Sequence, residues 1–534
     1  MSGVEYLGVR VLLETLLEQD RWVQAIAPAA GLVLTALVLR YVGRGAGTET
    51  SEAYIRAYHS RRPVTRLRDM PARLLAGCVT MGFGGTLGFE GPSIYAGATI
   101  GASLQHRLRR LFHGKDAKIL LVAGAAAGVA AIFKTPATGV LFALEAPYLG
   151  DVARRALLPA LIASATSYLT FVAFYDTGKI FPRLSIGHVE FGREQLAGAV
   201  VVGVLAAVGA IVFAWLVKWA KGRGSTRPLW QRLPAAGVVL GGLVVLLGLD
   251  SVAGFPLTLG PGDDVFLWID EMDRAAWLLL VVLAARLIAT TATIAGGGVG
   301  GVFIPLAIAG LLVGDLAGEL IELTFGPSAI TESNFFGTIG LAAFLGAGYH
   351  TPLAAVMFVA ESTGRAEFVV PALIAVAVSQ VVVGQASVSA YQRDTRLGHL
   401  ERRFGMAITA ALQTEVDTVD AADTVADYMW QHALLRRELT TLVTDDGHYA
   451  GLVSVADAVE LDREAWSATT VRAIMRTDVT PARISWTLRQ ATETMEEHDL
   501  DQLPVTDADG RLIGAVTSDD VLRLDELLDE TAGG

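Results

Sequence analysis

The sequence predicts an all-α polytopic membrane domain, built as an inverted repeat of broken helices, followed by a smaller α+β domain at the C-terminus. Three observations predict this. Ten apolar stretches run from residues 23–43 to 367–386, and the mean hydropathy of the chain is +0.48. Proline and glutamate recur at matching intervals in two parts of those stretches. From Phe404 onward the chain holds 26 Asp/Glu against 9 Arg and no Lys.

The first element, "MSGVEYLGVRVLLETLLEQDRW", carries Glu5, Arg10, Glu14 and Glu18 among apolar residues and lacks a basic leader. It reads as an amphipathic helix or the end of one rather than as a signal peptide. Several of the apolar stretches that follow fall short of the roughly 20 residues that span hydrocarbon, and Gly or Pro breaks many of them. Short, interrupted segments are a mark of transporters with discontinuous helices. The lone Cys78 provides no disulfide framework, and no cysteine metal site is expected.

The repeat is read from prolines. Pro92 is followed by "FKTPATGVLFALE" with Pro136 and Glu145; Pro305 is followed by "YHTPLAAVMFVAE" with Pro352 and Glu361. Pro136 to Glu145 and Pro352 to Glu361 are both nine residues, and Pro92–Pro136 and Pro305–Pro352 are 44 and 47. The loop His106–Lys118 has five Arg/Lys, whereas its counterpart "LTFGPSAITESN" has none. Basic loops stay cytoplasmic, so equivalent loops are expected on opposite sides, which makes the repeat inverted.

"GFEGP" and "GVFIP" read as glycine-flanked entries to helices that begin inside the membrane. Such N-termini present unpaired N–H groups and a partial positive charge. Two of them converging bind an anion without a lysine or arginine that would hold it too tightly. Glu90 sits at the first terminus, where its carboxylate competes with a permeant anion until protonation releases it.

These residues together resemble the CLC family of chloride channels and chloride/proton antiporters, over about residues 20–400. "GFEGP" is similar to the family's G-(R/K)-E-G-P, Gly301–Pro305 to its G-x-F-x-P, and Gly124–Glu145 to the helix pair after the gate. The resemblance implies chloride or a related anion as the transported ion, a homodimer with one pathway per subunit, and Glu90 as the gate. It places the anion between Gly88, Phe89 and Gly91 on one side and Gly301, Val302, Phe303 and Ile304 on the other. The family's G-S-G-I-P falls on "GAGTE", so Ala46 stands at its serine, with Gly47 and Thr48 beside it. Val388 stands at the coordinating tyrosine, with Tyr391 one helical turn later. Two side-chain hydroxyls of the family's anion site are thus expected to be absent, with Thr48 the candidate replacement donor. Phe89 replaces the basic residue beside the gate, and Ala146 replaces the inner proton-carrying glutamate of many antiporters. The family has a spanning helix before residues 23–43, and that first helix is expected to be truncated here.

These departures favour a passive glutamate-gated channel. The alternatives are an anion/H⁺ antiporter with a proton route through Glu49 or Glu52, and, more weakly, a CBS-bearing cation transporter. The last needs clustered intramembrane carboxylates, which are few beyond Glu90, Glu145 and Glu361. No catalytic motif such as H-E-x-x-H or G-x-S-x-G is present, so an enzyme is not expected.

The domains are expected at residues 1–403 and 404–534. The second carries a net charge of −17 against −12 for the whole chain, leaving +5 for the first. Within it, "HYAGLVSVADAVEL" parallels "GRLIGAVTSDDVLRL", each with G-h-h-(S/T)-x-x-D. This resembles a tandem CBS pair, at about 413–467 and 468–530. The resemblance implies an adenine nucleotide (ATP, ADP or AMP) held by Ser454, Asp457, Thr517 and Asp520, or else a pair that only dimerises and transmits strain. No cofactor is required and no nucleic-acid partner is expected. The expected location is a cell membrane, multi-pass, with the tail in the cytoplasm. Its acidity without lysine fits a prokaryote, and in particular a halophile.

Overall fold

The computed structural model describes residues 2–60, 65–108, 116–174, 192–247, 257–270, 274–325, 335–393, 405–434, 440–498, 500–517, 519–521 and 524. The chain divides into two compact units, Met1–Arg396 and Leu397–Gly534.

Unit one is helical. After a helical stretch over Ser2–Leu17 come α1 (Arg21–Tyr41), α2 (Ser51–His59), α3 (Asp69–Gly82), α4 (Glu90–Arg107), α5 (Ala117–Phe133), α6 (Pro136–Glu145) and α7 (Leu157–Phe174). The second half holds α8 (Arg193–Thr226), α9 (Leu229–Leu247), α10 (Asp263–Asp270), α11 (Ala276–Gly296), α12 (Phe303–Phe325), α13 (Phe335–Tyr349), α14 (Pro352–Thr363) and α15 (Val369–Val383). Among the described residues, seven helices are long and apolar enough to cross a membrane, and α5, α6, α13 and α14 are shorter apolar ones. The basic loop after α4 and its counterpart after α12 fall largely outside the described residues.

The repeat runs deeper than its prolines. Gly84 and Gly297, each eight residues before its proline, hold φ of +90° and +91°. Lys134 and His350, each two residues before the next proline, both hold φ of +53°, a left-handed conformation that ends α5 and α13. Thr80 Oγ1 accepts the Val299 amide at 3.1 Å, and Thr293 Oγ1 accepts the Thr86 amide at 3.2 Å. Thr80 and Thr293 both lie twelve residues before their proline, and Thr86 and Val299 six, so each bond is the other with the halves exchanged. A two-fold axis between the halves requires this.

The helices in each half pack by the same means. A Cβ on Gly97 or Gly124 would strike the other's carbonyl, so α4 and α5 cross at backbone contact. Gly310 and Gly340 stand in that relation between α12 and α13. Small residues permit such close approach, and dispersion then replaces the hydrophobic drive that lipid removes.

Glu145 at the end of α6 accepts the Leu353 and Ala354 amides of α14 at 3.1 and 2.9 Å. Glu361 of α14 accepts the Ala137 and Thr138 amides of α6 at 2.9 and 2.8 Å, and the Thr138 hydroxyl at 2.6 Å. The helices are antiparallel, and each carboxylate satisfies donors that the other's N-terminus leaves open.

Unit two repeats one motif. β1 (Thr418–Asp420) pairs parallel with β2 (Thr440–Asp445), which pairs antiparallel with β3 (His448–Ser454). β4 (Ala482–Arg483), β5 (Gln502–Thr506) and β6 (Leu512–Thr517) repeat that order, and the register shifts within β2 and within β5 also match.

Removing one reciprocal carboxylate strands two buried N–H groups. Glu361→Ala is expected to destabilise the protein by about 1–3 kcal/mol. Thermal unfolding in detergent checks this, with Glu361→Gln, which keeps one acceptor, falling between it and the wild type.

Candidate functional site

The entries to α4 and α12 meet. Gly88 N–H donates to the Gly301 carbonyl at 2.9 Å and Gly301 N–H donates back at 2.8 Å. Both glycines lie four residues before their helix proline, so the junction sits on the pseudo-two-fold axis. Two N-terminal ends therefore converge at one point inside the membrane domain.

The exchange breaks at the next position. Glu90 corresponds to Phe303 in the other half. The Glu90 side chain is 0% exposed, and its Oε1 accepts the Phe303 amide at 2.7 Å. The Ile304 amide is turned toward the same carboxylate. Oε2 is buried and has no hydrogen-bond partner. A Cβ on Gly88 would overlap Oε2 and one on Gly301 would overlap Oε1, so both glycines are needed to admit the carboxylate. Gly91 lies against Thr50 Oγ1 and the Gly301 amide. Phe89 is buried and packs against Gly77 of α3.

A cavity of about 690 Å³ reaches this junction, lined there by Gly300, Gly301, Val302 and Tyr349. Its cations are Arg40, Lys221 and Arg232 and its carboxylates Glu49 and Glu52. Lys221 Nζ binds Glu52 at 2.8 Å, while Glu49 pairs with Arg56. Arg73 donates to the Glu49 carbonyl and lies over the Tyr95 ring at 4.1 Å, which ties the loop before α2 to α3 and α4.

Ala46, Gly47 and Thr48 all line the cavity, but the chain enters α2 later, at Thr50 and Ser51. Thr50 Oγ1 donates to the Gly300 carbonyl at 3.1 Å, beside the junction. Ser51 is 6% exposed and its Oγ has no partner. Hydroxyls therefore do reach the site, a few residues beyond the position that motif matching gives. Val388 is buried with its amide on the Gly348 carbonyl, and it does not line the cavity. Tyr391 does, with its hydroxyl 3.3 Å from Arg56 and 3.5 Å from Glu49.

Tyr349 was not anticipated from the sequence. A signal was present: it lies three residues before Pro352, as Phe133 does before Pro136, so the repeat gains a hydroxyl in this half only. Ala146 is fully buried, and its carbonyl accepts from Gln392 at 2.9 Å. His59 Nε2 meets the neighbouring Pro147 carbonyl at 2.6 Å, within edge-to-face contact of Tyr58 and Tyr148.

In the tail, Ser454 and Asp457 form a capping box, with Ser454 Oγ 2.6 Å and Ser454 N 2.8 Å from Asp457 Oδ2. It opens α16 (Val455–Val459). Thr517 and Asp520 repeat it at 2.6 and 3.1 Å, and Asp520 Oδ1 accepts from Gln413 at 2.5 Å. The motif thus has a local structural role in starting a helix. Among the described residues no cluster of His, Cys, Asp and Glu is arranged to hold a metal ion.

Residues 30–384 match the family model described as "Voltage gated chloride channel", and residues 471–526 match the CBS domain model. A putative chloride channel protein ClcB-like of Ralstonia nicotianae is 27% identical over 361 residues, covering 66% of this chain and 81% of that protein. Among solved structures, a CLC-type fluoride/proton antiporter matches with TM-score 0.60 at 22% identity, over 74% of this chain and 94% of that one. A slow cyanobacterial Cl⁻/H⁺ antiporter matches with TM-score 0.61 at 21% identity, over 71% and 91%. A eukaryotic CLC transporter matches with TM-score 0.59 at 18% identity, over 97% and 94%.

Gly301→Ala is expected to push the Glu90 side chain off the Phe303 amide. A structure of the variant checks this by the loss of the 2.7 Å contact.

Proposed function

We propose that this protein, a chain that belongs to the voltage gated chloride channel family, conducts chloride or a related small anion passively, with Glu90 as its gate. The family is one of membrane anion transport. The observation that carries the finer reading is the Glu90 carboxylate seated on the N-terminal amides of α12, beside a cavity that ends at the same helix. An anionic oxygen already occupies donors that suit an anion. A permeant ion and the carboxylate compete for them, and protonation of Glu90 removes the competitor. Ala146 carries no proton, and Glu49 and Glu52 are each held by a cation, so no free carboxylate leads inward from the gate among the described cavity residues.

A second reading, anion/H⁺ exchange, is favoured by one feature. His59 is a titratable group at the Pro147 carbonyl, next to the place that Ala146 leaves without a carboxylate. The matched fluoride/proton and Cl⁻/H⁺ antiporters share the fold, which is compatible with either mechanism.

The protein is read as a homodimer in a cell membrane with its tail in the cytoplasm. An adenine nucleotide at the tail would meet Ser454, Asp457, Thr517 and Asp520, whose hydroxyl and carboxylate groups already serve the caps.

Reconstitution in liposomes with anion and H⁺ fluxes recorded together tests the mechanism. Chloride efflux with no H⁺ uphill of its gradient is expected; uphill H⁺ movement driven by chloride overturns the channel in favour of exchange. Glu90→Gln is expected to make the flux nearly independent of pH, and an unchanged pH profile removes Glu90 from the gate. For the tail, calorimetry with ATP, ADP and AMP on the full chain is expected to show binding that Asp520→Ala weakens; no heat with any of the three rejects the nucleotide.

A further inference from the structure

We propose that the ends of α1 and α8 and the start of α9 form a binding site for the phosphate headgroup of an anionic phospholipid, at the rim of the cavity. The inference goes beyond the anion-transport reading and does not depend on it.

Residues 36–48 hold two Lys/Arg and residues 211–236 hold five, with no Asp or Glu in either stretch. Packing brings the stretches together. A Cβ on Gly237 would meet Ala29 and one on Gly241 would meet Ala25, so α9 runs antiparallel to α1 and starts beside its last turns. Arg232 Nη1 donates to the Gly224 carbonyl, which ties the start of α9 to the end of α8. Arg40, Lys221 and Arg232 line the same cavity. Lys221 is paired with Glu52. Among the described residues, no carboxylate pairs with Arg40, Arg44, Lys218, Arg223, Arg227 or Arg232. So much uncompensated charge at one end of three apolar helices assigns that end to the cytoplasmic leaflet, where anionic lipids lie.

Aromatic rings stand at the same helix ends. Tyr41 is 71% exposed and Trp230 72%, and Trp219 is exposed as well. Arg40 lies over the Tyr41 ring at 5.7 Å, and Arg223 over the Trp219 ring at 4.9 Å. A turn or two deeper, Leu34 and Leu37 of α1 and Val212 and Trp215 of α8 are exposed. A soluble anion accounts for the cations but not for the rings or the apolar surface below them. A phospholipid accounts for all three, with acyl chains on the apolar side chains, the interface at the rings and the phosphate among the guanidinium groups. A guanidinium stacked on a ring still turns its N–H edge outward, which suits Arg40 and Arg223 to phosphate.

The test uses the full chain in vesicles of phosphatidylcholine doped with phosphatidylglycerol, with one or the other lipid carrying brominated acyl chains that quench nearby tryptophan. Brominated phosphatidylglycerol is expected to quench at about 10-fold lower mole fraction than brominated phosphatidylcholine, since each basic residue adds roughly 5-fold to headgroup affinity. In the variant Arg44→Gln/Arg223→Gln/Arg227→Gln, whose three positions lie outside the cavity lining, the two lipids are expected to quench alike. Trp219→Phe with Trp230→Phe is expected to remove the selective part of the quenching, which locates it. Equal quenching by both lipids in the wild type overturns the inference, as does selectivity that survives either set of substitutions. Calorimetry with inorganic phosphate in neutral detergent is expected to show no heat. Saturable phosphate binding that the triple variant loses assigns the cations to a soluble anion and overturns the lipid. Should the triple variant fail to fold, Arg227→Glu, a single exposed change between α8 and α9, carries the test with the same expectation.

Discussion

The membrane domain depends on one junction, where Gly88 and Gly301 exchange amide hydrogen bonds and Glu90 lies across the N-terminus of α12. A charged side chain placed in hydrocarbon costs about 2.5–3.5 kcal/mol even on lenient scales. Here an amide donor and the partial positive ends of two helices offset that cost, and two glycines clear the space. The same requirement explains the residues around it. Thr80 and Thr293 hold the chain just ahead of the junction by taking the Val299 and Thr86 amides. Gly84 and Gly297 turn the backbone out of α3 and α11 so that the crossing occurs at all.

The other two intramembrane glutamates of the repeat obey the same rule. Glu145 and Glu361 each end on two amides at the other's helix N-terminus. All three carboxylates are therefore bound where backbone donors have no carbonyl partner. What separates them is reciprocity. Glu145 and Glu361 are exchanged by the two-fold axis, so each satisfies what the other leaves open, and both are fully used. Glu90 has Phe303 as its counterpart, and Oε2 is left without a partner. Two of the carboxylates are fully used by the frame for that reason, and the third keeps one oxygen that the frame does not use.

Much of this was legible in the sequence. The equal Pro–Glu intervals gave the repeat, and "GFEGP" with "GVFIP" gave the two helix entries and the carboxylate between them. Less legible was the loop before α2. A loop carries no period, so a shift of a few residues changes no hydrophobic pattern, and the motif match fell on Ala46 while the helix begins beyond Thr50. The same ambiguity set Val388 against Tyr391, because the short link after α15 has no helical register to anchor it. In the tail, the S/T-x-x-D spacing was visible, but its use as a capping box shows only once Ser454 and Thr517 are seen at helix starts.

An inverted repeat by itself would build two identical helix ends and no direction. The distinguishing chemistry sits where equivalent residues differ. Glu90 against Phe303 places a titratable group on one side of the axis. Tyr349 against Phe133 places a hydroxyl on the other half's aromatic position, at the end of the cavity. The backbone frame is kept across both exchanges, as the matched Gly84/Gly297 and Lys134/His350 angles show, while the electrostatics are not. The pseudo-symmetric scaffold supplies convergent N-termini, and two differences between its halves put an acid on one side of the junction and a hydroxyl at the end of the cavity.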